Sequence, residues 1–500
     1  MTAVHQPPSA PPPAGPIAGG PPATRPPSAE PALPGRPAAR SEPRTGAARL
    51  VPRTVAGRVR VLTALIVVAL AALLAVTWSA VADARDGVRV IGHDAGPQVV
   101  ATGDLYFQLI EMDAQLADAL LVGRTQNLGV KREQALESYD RSRRAAGAAL
   151  LQAARLADDP TEERTARELL DAVARYERLA AQALLLDEQT PHDAGPPPER
   201  VLETYRQATD LMKLDLLPKA YNLTLDNGTL VRHTYEDKRD AVTAGRLWVL
   251  GTGLVVLALL GGLQLFLFRR FRRLLNPALA IATLGTLVFV GVGFTMLGGQ
   301  ADHLKKAKED GFDSILALSR ARAIGNSANA DQTKYLLDPA RADTYEQVFL
   351  SKSQTILYVK ADSLAQYSGA VQQTGKENDY LGFLGSEFDR NRLPSQSQAL
   401  NAVFTDYRAY QRDDRSLRDL VAGGQRQQAI STRLASPDSS FGEYDRSLGG
   451  LIKIHSTAFN DAIKKGDDGT AGWNLVIPVA GIVLVALVLA GVRPRLSEYR

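Results

Sequence analysis

Four apolar runs dictate what this 500-residue chain can fold into: Val61–Ala82, Leu247–Phe268, Pro277–Gly298 and Trp473–Val492. Each is roughly 20 residues long and carries no charge, which matches a hydrocarbon layer about 30 Å thick. Lipid offers the backbone no hydrogen-bond partner, so each run is predicted to be a membrane-spanning helix.

Basic residues orient the spans. Met1–Arg60 has 8 Lys+Arg against 2 acids, and the eight-residue link Arg269–Asn276 (RRFRRLLN) has four arginines and no acid. The tail Arg493–Arg500 has three arginines and one glutamate, so these segments sum to +12 while the rest of the chain sums to −8. Basic loops stay inside. Both termini and the loop arginines Arg269, Arg270, Arg272 and Arg273 are therefore expected in the cytoplasm of a multi-pass cell-membrane protein. The tryptophans Trp78, Trp248 and Trp473 then all fall at outer span ends, as membrane-interface anchors. Ala80-Val81-Ala82 reads as a cleavage site, but the preceding segment and the apolar run are both too long for an ordinary signal peptide, which favours an uncleaved anchor.

Residues 1–55 are rich in Pro, Ala, Gly and Arg and lack an apolar period, the composition of a disordered cytosolic segment. Residues 83–246 and 299–472 are long and helical in pattern. Leu105, Leu109, Met112, Leu116 and Ala119 alternate steps of four and three, as do Ala166, Leu169, Val173, Tyr176, Ala180 and Ala183. Asp159, Pro160 and Glu162 mark a helix start, and Pro218 a kink. The second region follows the same plan, with weak echoes: LNAV (400–403) of LDAV (170–173), and Tyr407 of Tyr176. The expected fold is all-α, with four transmembrane helices and two extracytoplasmic four-helix bundles, a span–bundle–span plan written twice. The first and last helices of each bundle are expected to run unbroken into their spans.

The chemistry expected is that of a non-enzyme. No phosphate-binding loop, nucleophile elbow or HExxH motif is present, and the cytosolic segments are too small to fold an enzyme. There is no cysteine, and the six histidines lack metal-ligand spacing, so no cofactor or metal is expected and disulfides are excluded. Nothing points to nucleic acid. The spans contain no ionisable residue, unlike a typical transporter core, and glycines such as Gly253, Gly261, Gly285, Gly291 and Gly293 suit close helix packing. One stripe breaks an apolar seam: Arg322, Asn326, Asn329 and Thr333 follow steps of four, three and four. It reads either as a ligand or partner contact, with arginine suited to a carboxylate, or as satisfied polar residues between helices.

The Pro-rich head, the RRFRR loop, LLPKAYN (216–222) and the tail RPRLSEYR sit in a layout that resembles an actinobacterial family. These are four-span membrane proteins of the glutamine/glutamate-sensing cluster, encoded beside a solute-binding lipoprotein and protein kinase G. Each half also resembles the helical sensor module of chemoreceptors and sensor kinases. The resemblance implies a transducer that relays amino-acid availability from the lipoprotein to the cytosolic kinase. It carries over no ligand residues, and it leaves the oligomeric state open, a homo-oligomer included. No signalling coiled coil follows the spans, which implies a separate cytosolic partner. The alternatives are a transporter accessory subunit and a structural envelope protein.

Overall fold

The apolar runs and seams become a small number of very long helices. The computed structural model describes residues 55–124, 129–156, 160–271, 276–373, 381–390, 393–435 and 439–497. The Pro-rich head, the Asp159 cap and loop residues Arg272 and Arg273 lie outside that set, as do residues 374–380 of the irregular insertion near 372–394 and the last three residues of the tail.

The first half comprises α1 (Val55–Arg89), α2 (Ala95–Val122), α3 (Gly129–Leu156), α4 (Pro160–Gln189), α5 (Glu199–Leu211) and α6 (Leu217–Phe271). The second comprises α7 (Pro277–Lys305), α8 (Asp313–Leu337), α9 (Ala342–Ile356), α10 (Leu364–Gln373), α11 (Gly382–Asp389), α12 (Gln396–Ala422), α13 (Arg426–Ala435), α14 (Ser440–Thr470) and α15 (Trp473–Ser497). Among the described residues the only β feature is an isolated bridge between Tyr358 and Leu381.

Four helical runs are long and apolar enough to cross a membrane: Gly57–Val122, Glu199–Arg269, Pro277–Leu337 and Ser440–Pro494. Three run unbroken from their apolar segment into a polar region, and the 61 residues of Pro277–Leu337 reach about 90 Å at 1.5 Å per residue. The fourth is broken by a turn at Ala471 and Gly472, where Gly472 takes φ 79°, so the last helix does not enter its span unbroken as expected. Three runs contain a π-helical turn: Val90–Asp94, Met212–Leu216 and Lys306–Phe312. The second stands immediately before Pro218, whose missing N–H and bulky ring disrupt the preceding turn. The expected kink thus becomes a widened turn.

In the apolar layer Ile66, Leu70, Val256, Leu260, Leu279 and Val488 share one core. Glycine permits the closest approaches: a Cβ on Gly253 would meet Val290 Cγ2 at 2.4 Å, and one on Gly481 would meet Leu74 Cδ1 at 2.5 Å. Gly261 and Gly291 have nothing within 4 Å, so those two do not serve packing between spans here. Gln264, a strongly polar side chain within an apolar run, donates to Thr283 Oγ1 at 2.9 Å.

The seam Leu105, Leu109, Met112, Leu116 and Ala119 is wholly buried. Its core is not confined to the first half: Tyr335, Leu337, Tyr345 and Ile430 join Leu109, Tyr176 and Tyr205 in one cluster. A second cluster is aromatic and lies in the second half, with Phe349, Tyr367, Tyr407, Tyr410 and Tyr444. The two regions therefore pack against one another rather than standing as separate rods. Apolar side chains at the C-terminal end of α8 complete a core that the first half alone leaves open.

Candidate functional site

Helices α2, α6, α8 and α14 converge beyond the apolar layer and line a half-open cavity of about 530 Å³. That volume lies within the range of small-molecule sites. The walls are mostly apolar and aromatic: Val100 and Phe107 from α2, Tyr221 from α6, Leu316 from α8, Ile452 and Phe459 from α14. Two π-helical turns border it. In one, His455 Nδ1–H donates to the Asp310 carbonyl at 2.7 Å, a contact outside the helix's own ladder. A Cβ on Gly311 would sit 2.7 Å from Phe459 Cβ, so glycine is what lets this turn and α14 meet.

Two arginines on α8 face the cavity and differ in state. Arg322 forms a fork with Asp445, Nε and Nη2 each donating at 2.7 Å, and lies 5.0 Å from the Phe107 ring centre. That carboxylate holds its guanidinium above the ordinary arginine value, against the opposing effect of burial. Arg320 stacks 5.5 Å from the centre of the Tyr221 ring, and its Nε is buried without a hydrogen-bond partner. It makes no ion pair among the described residues, and burial lowers its pKa. Asp104, on the facing helix, has its carboxyl raised by burial while Arg322 pulls it back.

The stripe Arg322, Asn326, Asn329 and Thr333 does not act as one surface. Asn326 Nδ2 donates to Asp445 at 3.1 Å, joining Arg322 there. Thr333 donates to Asp118 of α2 at 2.7 Å, and the Asn329 Oδ1 is buried without a hydrogen-bond partner. Of the four, Arg322 alone borders the cavity. Trp78 and Trp248 are exposed, as an interface belt requires, whereas Trp473 turns inward against Phe289. Arg269 is exposed, and the side chains of Arg270, Arg272 and Arg273 lie outside the described residues.

Beyond the cavity, charged pairs zip the halves together. Lys334 donates to Asp113 at 2.6 Å, and Asp113 also accepts from Thr209 at 2.8 Å and Tyr176 at 3.3 Å. Arg206 forks onto Asp338 at 2.8 and 2.7 Å, and Arg341 reaches Asp210 at 3.0 Å. Lys213, in a π-helical turn, lies 4.6 Å from the Tyr345 ring centre, its pKa pulled to about 8 by burial and by Lys334. Sequence reading missed this network, although Asp113 was legible as a charge inside an apolar seam. Arg320 and the cavity glycines had no comparable mark. Among the described residues no group of three or more acids and histidines is placed to hold a metal.

A family model described as an actinobacterial sensor domain matches residues 87–236. That stretch holds the α2 and α6 walls of the cavity, while the α8 and α14 walls come from outside it. No curated protein and no solved structure matches the chain.

Proposed function

We propose that the chain is a non-enzymatic transmembrane sensor whose helical regions lie outside the cytoplasmic membrane and read a cue there. The observation that carries this reading is continuity: the run Pro277–Leu337 passes from a span, along the cavity wall, to the buried Lys334–Asp113 pair without leaving helix. A ligand that favours one packing of the cavity walls biases the span beneath, because a rigid helix moves as a unit and packed cores have discrete arrangements. The match of residues 87–236 to a sensor domain supports the same reading. Output passes through the loop 269–276, which joins the second and third spans and whose arginines suit an acidic surface on a cytosolic partner. A protein kinase is the partner proposed, and a solute-binding lipoprotein the outer one.

The test is a deletion strain compared with its parent across nutrient shifts. Loss of a nutrient-dependent change in cytosolic protein phosphorylation, with solute uptake and envelope integrity retained, supports the sensor. Lost uptake of a labelled solute with the phosphorylation response intact makes the protein a transporter accessory. An envelope defect independent of nutrient makes it structural.

A further inference from the structure

The cavity's chemistry narrows what it takes. Its walls are mostly aliphatic and aromatic, so they reward a largely apolar body over a polar one that would give up water. The cations at its edge are unequal. Arg322 is spent on both oxygens of Asp445, whereas Arg320 sits over the Tyr221 ring, 5.5 Å from its centre, with no carboxylate and no hydrogen bond among the described residues. A partly buried guanidinium without a counter-charge lacks what makes such burial favourable. Its planar fork matches one chemical group above others, a carboxylate taken through two parallel N–H donors.

Resting on the sensor reading above, we propose that this cavity binds an organic monocarboxylate with an apolar body, its carboxylate on Arg320 and its body against Phe107, Leu316, Ile452 and Phe459. Small polar amino acids fit poorly, since most of the wall is apolar and returns little for the water they give up. Polar side chains interrupt that wall, among them Gln108, Gln152, Ser456, Asn460 and Asp104, whose carboxyl disfavours a second carboxylate. The carboxylate can sit on an aryl acid from solution or on a fatty acid delivered by the membrane, and both satisfy the same site.

The experiment is calorimetric titration of the full chain in lipid nanodiscs, with empty nanodiscs as the blank. The probes are 3-phenylpropanoate and octanoate, each beside its neutral amide, and glutamate. Saturable binding of at least one acid is expected, with its amide about tenfold weaker or worse, and glutamate weaker still. Arg320→Gln should lose at least about tenfold in affinity for the acid, Arg320→Lys should retain part of it, and the exposed Arg164→Gln should change nothing. Binding of 3-phenylpropanoate alone assigns the site to aryl acids, and of octanoate alone to fatty acids. Circular dichroism and melting of the Lys variant separate a lost anchor from a lost fold. Equal binding of acid and amide, undiminished binding by Arg320→Gln, a preference for glutamate, or no binding of any acid overturns the proposal. A chain that passes the deletion test yet binds none of these acids remains a sensor with a different ligand. Acid binding without a phosphorylation response leaves the site and removes the sensor.

Discussion

Lys334 donates to Asp113 at 2.6 Å across 221 residues of sequence, and both are less than 5 % exposed. Burial raises the Asp113 carboxyl, but Lys334 and Thr209 more than cancel this and leave it below its ordinary value. A buried pair of this kind is weak as a stabiliser and costly to break. Lys334→Met should therefore destabilise the chain by about 3–5 kcal/mol, by leaving Asp113 charged and alone. The double variant Asp113→Leu with Lys334→Met should regain much of that loss. Thermal melting in nanodiscs reads both, and equal melting of parent and single variant would contradict the role.

Lys213 sets a pH dependence. Its folded pKa, about 8, lies below the value near 10.4 of an unfolded lysine. The fold thus favours the neutral amine. Its contribution is complete above the unfolded value and is lost as pH falls through about 8. Lys213→Met removes the group, so its melting temperature should gain on the parent as pH falls from about 10 to about 8, and the difference should level off below that. A difference that stays constant over that window would show that Lys213 titrates normally.

Glycines separate by what surrounds them. Gly311→Ala places a Cβ 2.7 Å from Phe459 Cβ and 2.9 Å from its Cα, so α14 must move and a loss of about 1–3 kcal/mol follows. Gly147→Ala, in the middle of α3 with nothing within 4 Å, should instead stabilise by about 0.4–1 kcal/mol. Denaturant unfolding of the two variants should move in opposite directions, and a common direction would contradict the packing described here.

Long apolar periods were the most legible part of the sequence. Leu105 to Ala119 bury as spaced. Short echoes misled. Tyr176 and Tyr407 are both fully buried, yet Leu170 of LDAV is 56 % exposed and Leu400 of LNAV is buried, so the tetrapeptides occupy different faces. The joined core was not readable because its contacts are long-range: Tyr335 and Ile430 look like apolar residues of their own helices alone until the first half is laid against them. The cavity was hidden for the same reason. Its cation is told apart from Arg322 only by the partner each one has in space, and a helical stripe records spacing without partners.

Single substitutions of Arg269, Arg270, Arg272 or Arg273 to Gln should preserve membrane orientation, since three loop arginines remain. If the loop carries output, at least one should weaken the nutrient-dependent phosphorylation response. A full response from every single variant, and from every pair that keeps its orientation, would reduce the loop to an anchor on anionic lipid.

The central claim is that the helical regions face outward, and the cysteine-free chain permits a direct reading. Label sites must be exposed in the fold, which selects Arg164 and Asp413. Single cysteines at Arg164, Asp413 and Arg269 are treated with a membrane-impermeant thiol reagent in intact cells and again after permeabilisation. Labelling is expected at Arg164 and Asp413 in intact cells, and at Arg269 only after permeabilisation. Labelling of Arg269 in intact cells, with the other two silent until the membrane is opened, would place the cavity in the cytosol and contradict an outward-facing sensor.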